Sequence, residues 1–242
     1  MSIDDVRGDA AHFIEKWRAR WPEWEIAGVF VPEAQRPRAE AWFSLLQELA
    51  DAAWGGGDPT PGLAKLAWWQ EELGGWAKGA RRHPLGALLQ PVPAPWLALG
   101  RALPDLRALR GDGGDLDDGA IASTAPGAPG AGEGFAAAVA DCEAVLFEGR
   151  AADADARAVV LASLLGERGL LRAAVDGEPA GTSMPVKGNP GAGSAARSAM
   201  RAGNRARGVL AALVAARMAR PGRPLPPLRA LYTAWRGARR AG

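Results

Sequence analysis

Cysteine and histidine are nearly absent from this chain of 242 residues, which carries one cysteine, Cys142, and two histidines, His12 and His83. One cysteine excludes an internal disulfide, and three such ligands in all fall short of a His/Cys zinc site. β-Branched residues are also few, while Ala, Leu and Arg abound, a balance that favours helices over strands. No run reaches the roughly 18 consecutive apolar residues of a membrane span. The N-terminal MSIDDVRGDAA has neither the basic start nor the apolar core of a secretory signal, so a soluble, cytoplasmic chain is expected. Finally, no acidic residue follows Glu178. The 64 residues beyond it hold Lys187 and eleven arginines, leaving 17 basic against 27 acidic residues before them. Such polarity suits either a basic C-terminal helix pair docked on an acidic N-terminal half or an anionic partner.

What is present is helical periodicity. A first helix is expected over 4–21, with Phe13, Ile14 and Trp17 on one side. A second follows Pro32, where Ala39, Trp42, Leu45, Leu46, Leu49 and Ala53 keep the i, i+3, i+4, i+7 spacing of a buried stripe until Gly55-Gly56-Gly57. Thr60 reads as an N-cap before Pro61, opening a helix whose inner face is Leu66, Trp69, Leu73, Trp76 and Ala77. A short helix is expected after His83-Pro84, and another over 96–110 with an interruption at Pro104. Further helices are expected over 135–147, 153–175, 194–220 and 226–240. Residues 111–134 and 176–193 are Gly- and Pro-rich and lack periodicity, so they read as long flexible loops within one domain spanning 1–242.

The stretch from Pro59 to Gln90, PTPGLAKLAWWQEELGGWAKGARRHPLGALLQ, resembles a helix of the squalene/phytoene synthase family. Members carry a similar Leu-Ala-Trp-Trp…Glu-Leu run followed by His-Pro and a new helix. The resemblance is specific over 66–84 and loose from Arg36 to Arg240. It implies an all-α fold, a single helical bundle of the isoprenoid synthase type. It also implies two facing acidic motifs that hold Mg²⁺, which binds and ionises allylic diphosphates for head-to-head condensation in isoprenoid biosynthesis. That chemistry needs several carboxylates, because Mg²⁺ demands octahedral oxygen ligation and the leaving diphosphate is strongly anionic.

The first family motif resembles Arg-Glu-Leu-Asp-Asp-x-x-Asp. The matching stretch, Gln47-Glu48-Leu49-Ala50-Asp51-Ala52-Ala53-Trp54, keeps Glu48 and Asp51 but has Gln47, Ala50 and Trp54 at the other polar positions. Glu48 and Asp51 lie three apart on one helical face, either sharing a cation or forming a salt-bridged edge. The second motif resembles Gln-x-x-Asn-x-x-Arg-Asp. Its nearest match, Gly166-Glu167-Arg168-Gly169-Leu170-Leu171-Arg172-Ala173, keeps Arg172, loses the aspartate to Ala173 and is followed by Asp176. Glu48, Asp51, Arg172 and Asp176 are thus the remnant catalytic candidates, and Asp51 is the one metal candidate.

The expected function is a divergent, non-catalytic member that keeps the scaffold for binding or assembly, with no cofactor. Relatives known as mitochondrial complex I assembly factors show a similar loss of acidic motifs. Two alternatives stay open: a Mg²⁺-dependent prenyltransferase acting on a prenyl diphosphate through Glu48, Asp51 and Arg172, and a peripheral membrane protein using its Arg-rich C-terminal helices. The partners to consider are a prenyl diphosphate or another apolar ligand, a protein, and an anionic membrane surface. Nucleic acid is not expected, because the stripe Arg197, Arg201, Arg205 has no aromatic residues beside it. Cys142 and most of the ten tryptophans read as core residues, His83 as a helix-start packing residue, and Gly188–Ser194 as a plain loop rather than an anion cradle.

Overall fold

Local sequence signals account for most of the helix boundaries in the computed structural model, which describes residues 3–110, 130–149, 151–176, 203–220 and 222–241. The helices are α1 (Ile3–Arg20), α2 (Trp24–Ala27), α3 (Arg36–Trp54), α4 (Thr60–Trp76), α5 (Gly86–Leu89), α6 (Trp96–Arg101), α7 (Leu103–Ala108), α8 (Glu133–Leu146), α9 (Ala154–Asp176), α10 (Arg205–Met218) and α11 (Pro227–Ala241). Among the described residues there is no strand. Two 3₁₀ turns, Gly28–Phe30 and Glu33–Gln35, lead from α2 into α3. The all-α expectation therefore holds. The interruption expected at Pro104 is also present, since that proline occupies the first turn of α7.

Three local readings need correction. Thr60 is the first residue of α4 rather than its cap: the carboxylate of Asp58 accepts from the Thr60 N–H at 2.8 Å. Ala77 lies past the end of α4 and is exposed, so the inner face closes at Trp76. The helix expected over 194–220 begins, among the described residues, only at Arg205. Gly203 takes φ 96° and Asn204 is extended, with its side chain accepting from the Arg207 N–H at 2.9 Å as an N-cap. Arg197 and Arg201 lie outside the described residues, as do 111–129 and 177–202, which take in nearly all of both expected loops.

α3 occupies the centre because its stripe is apolar on almost every side: thirteen of its residues, from Ala39 to Ala53, are buried. α1, α4, α5 and α7 pack around it. α8 joins this group to α9, which carries α10, and α10 in turn carries α11. Trp17, Trp21, Trp42, Trp69, Trp76 and Trp96 are among the largest fully buried side chains, as expected of a tryptophan-rich core. Trp42 and Trp76 both lie against Trp96, with ring centroids 6.2 and 5.2 Å away, so the aromatic seam ties α3 and α4 to α6. Polar groups lock the helix ends. Asp105 of α7 accepts from the N–H groups of Gly132 and Phe135 at 3.1 and 2.9 Å, capping α8, while Arg38 of α3 donates to the Leu146 carbonyl at its far end.

Candidate functional site

Glu48 and Asp51 project from α3 toward α1 and α4, and there every carboxylate oxygen already has a cation. Glu48 Oε1 meets Lys16 Nζ at 2.5 Å and its Oε2 meets Lys65 Nζ at 2.7 Å. Asp51 Oδ1 meets Arg20 Nη1 at 2.9 Å, and its Oδ2 meets Lys16 Nζ at 3.0 Å. Lys16 and Arg20 lie four apart on α1, so both reach the same face of α3. These ammonium groups hold the Glu48 carboxyl below its ordinary pKa against the opposing pull of burial, and the two carboxylates raise the pKa of Lys16. Three cations face two anions here, a local excess of positive charge. Trp54, at the third acidic position of the motif, turns its Nε1 to the Leu106 carbonyl at 3.0 Å and so fastens α3 to α7. Ala50 is core.

The second stretch contributes a different residue from those the motif suggests. Arg172 and Arg168 both donate to the carbonyl of Arg110, at 2.7 and 2.5 Å. Arg110 in turn donates to the carbonyls of Gly55, Gly56 and Gly57 at the end of α3. Asp176 is the last residue of α9, and its side chain lies outside the described residues. Glu167 of α9 comes within electrostatic reach of Asp51, Arg20, Arg207 and Glu143. Burial pushes its carboxyl up to about 7, with Arg207 and Arg20 opposing that shift. Glu167 lies at one of the unspecified positions of the second motif, so the motif gives it no role. The sequence signal for it is its place beside the glycines that α10 packs against: a Cβ at Gly166 would meet the Val214 side chain, and one at Gly169 would lie 2.9 Å from the Met218 Cε.

Beyond Glu167 the charges continue into the core. Glu143 of α8 pairs with Arg207 of α10, and both are almost fully buried. Glu143 also accepts from Trp42 Nε1 at 2.8 Å and Asn204 Nδ2 at 3.2 Å. A series of charged groups thus runs inward from the half-exposed Lys65 and Lys16, by way of Glu48, Asp51, Arg20 and Glu167, to the buried Arg207 and Glu143. His83 stands at the other end, packed on Phe13 and Trp69, each with ring centroids 4.5 Å away. Its Nδ1 accepts from the Leu85 N–H at 3.2 Å, and burial lowers its pKa to about 4, so the ring is neutral near pH 7 and closes the turn rather than carrying charge. Glu72 holds the same turn by accepting from the N–H groups of Arg82 and His83, both at 2.7 Å. Burial pushes the pKa of the Cys142 thiol upward, which leaves it unreactive.

The raised pKa of Glu167 gives stability a definite sign with pH. Between about 4.5 and 7 its carboxyl is protonated in the fold and ionised in the unfolded chain, so this contribution is complete below 4.5 and is lost as pH rises through 7. Glu167→Gln removes that loss. It is expected to raise the free energy of unfolding by on the order of 1–2 kcal/mol at pH 8 and to change it little at pH 4. Urea denaturation of both proteins at the two pH values measures this, and equal effects at both would contradict the assignment.

Among the described residues no three His, Cys, Asp or Glu side chains are grouped to hold a metal ion, and no helix is long and apolar enough to cross a membrane. In comparisons with known proteins, no family model, no curated protein and no solved structure matches this chain.

Proposed function

We propose that this chain is a divergent relative of the squalene/phytoene synthases that has given up catalysis and keeps the helical scaffold for binding or assembly. The observation that carries this reading is the occupation of all four oxygens of Glu48 and Asp51 by Lys16, Arg20 and Lys65. A Mg²⁺ ion seeking those oxygens would have to displace two ammonium groups and a guanidinium from a site with excess positive charge, and Mg²⁺ gives up its own waters reluctantly. The donor set therefore does not fit the metal, and the condensation chemistry has nothing here to ionise its diphosphate. Trp54 and Ala50 support the same reading, since both have become packing residues where the family motif places aspartates.

The test is calorimetric titration of the full chain with farnesyl diphosphate, with and without Mg²⁺, alongside product analysis by mass spectrometry. The expected result is no Mg²⁺-dependent gain in affinity and no condensed product. Mg²⁺-dependent turnover that Asp51→Asn abolishes would establish the prenyltransferase alternative and overturn this proposal.

A further inference from the structure

α11 presents a face that the other described residues leave exposed. α11 buries Ala230, Ala234, Gly237 and Ala238 against its neighbours. Leu228, Leu231, Tyr232 and Trp235 fall on a different side, within an arc of about 100°. They are 82, 39, 57 and 40% exposed, the largest concentration of exposed large apolar side chains on one helix among the described residues. Trp235 is thus an exception to the inward placement expected of the tryptophans. Arginines line the same side: the Arg236 guanidinium lies 5.7 Å from the Tyr232 ring centre and that of Arg239 lies 5.1 Å from the Trp235 ring. Beside the stripe, between α10 and α11, runs a groove of about 290 Å³ lined by Arg229, Arg236, Arg240, Tyr232 and Thr233.

We infer that this face of α11 docks on the surface of an anionic phospholipid bilayer. The stripe would enter the boundary between headgroups and acyl chains, and the arginine-lined groove would receive lipid phosphates. The charge on the page favours this occupant. The chain has no acidic residue after Glu178, so nothing in α10 or α11 repels an anionic surface. Tyr and Trp stacked beneath guanidinium groups suit the wet edge of a membrane, where a ring has one apolar and one polar side. A helix lying in that plane needs an apolar stripe flanked by cations, which is the arrangement here. A protein interface fits less well, because its buried centre is depleted of charge and spans about 800 Å² on each partner. Nucleic acid would pair with the arginines but offers no apolar phase for Leu228 and Leu231. The inference rests on α11 alone and is independent of the reading of the α3 carboxylates.

The experiment is co-sedimentation of the full chain with vesicles of phosphatidylcholine alone and of phosphatidylcholine mixed with phosphatidylglycerol. Pelleting is expected with the anionic vesicles only, weakening at high salt. Arg236→Gln and Arg239→Gln should each lower the affinity about fivefold. The double variant Leu228→Ser/Trp235→Ser should lower it at least about tenfold. These side chains are exposed, so an unchanged thermal midpoint confirms that the fold survives. Absence of binding to anionic vesicles, or binding indifferent to all these substitutions, overturns the inference. So does self-association in sedimentation velocity that Trp235→Ser removes, which would make the occupant a second copy. Tighter binding to single-stranded RNA than to the vesicles overturns it as well.

Discussion

Glu143→Ala is expected to cost about 3–5 kcal/mol of folding stability, the range for breaking a buried ion pair from one side. Glu143 and Arg207 are 3 and 1% exposed, so neither charge can turn to water when its partner is lost. Arg207 would keep its guanidinium over the Phe43 ring, 5.1 Å from the centroid, with its hydrogen-bonded carboxylate gone and only the Glu167 carboxyl, which burial holds toward its neutral form, within electrostatic reach. Trp42 Nε1 and Asn204 Nδ2 would lose their acceptor in the same step, and each unsatisfied donor adds to the penalty. Asn204 also caps α10, so the damage spreads to the start of that helix. Arg207→Met should be similarly harmful, because it strands the carboxylate. The double variant Glu143→Met/Arg207→Met should recover the part of the loss that comes from a stranded charge, while the Trp42 and Asn204 donors stay without their acceptor. Chemical denaturation of the three variants measures the coupling. A single-variant cost below about 1 kcal/mol would mean the pair has access to water.

Gly237→Ala is the second change expected to have a large effect, here through space rather than charge. α10 and α11 touch backbone to backbone: an added Cβ at Gly237 would collide with the Gly208 carbonyl oxygen and lie 2.9 Å from the Ala212 Cβ. A flexible side chain could yield, but a helical carbonyl cannot. The helices would have to separate, lifting Ala230 and Ala234 out of their contacts. A cost of about 3 kcal/mol, at the upper end of ordinary overpacking, is expected. Because α11 packs chiefly on α10, the loss should appear first as local opening. Faster amide exchange across 227–241 should precede any change in α3. Uniform exchange changes throughout the bundle would show that α11 does not open by itself.

The helices were legible for a plain reason. Proline at the start of α4 and α7, glycine after α3 and the spacing of Trp42, Leu45, Leu46 and Leu49 all act within a few residues, and such signals survive in a single sequence. The errors were also local. Asp58, two residues earlier, accepts from the Thr60 N–H, so Thr60 is already inside the first turn of α4. The Gly203-Asn204 break was readable in principle, as a glycine followed by a strong N-cap residue, but the run of arginines and alanines around it concealed the boundary. The polarity of the chain resolved in two ways. Arg207 and Arg217 dock on Glu143 and Glu23, as a basic helix pair on an acidic half should, while Arg236 and Arg239 of α11 remain exposed.

The sequence by itself determined that this chain is helical, where most of its helices lie and that α3 carries a buried stripe, because periodicity, caps and breakers are properties of neighbouring residues. Only the tertiary structure decided what its carboxylates do. Glu48 meets lysines 32 and 17 residues away, and Glu143 meets an arginine 64 residues away. The state of a carboxylate depends on the charges across from it and on its access to water, and both are fixed by packing between helices. The same holds for α11: its pattern of alanine, leucine and arginine specifies two possible buried faces, and the close fit of Gly237 on Gly208 selects the small one, leaving Tyr232 and Trp235 outside.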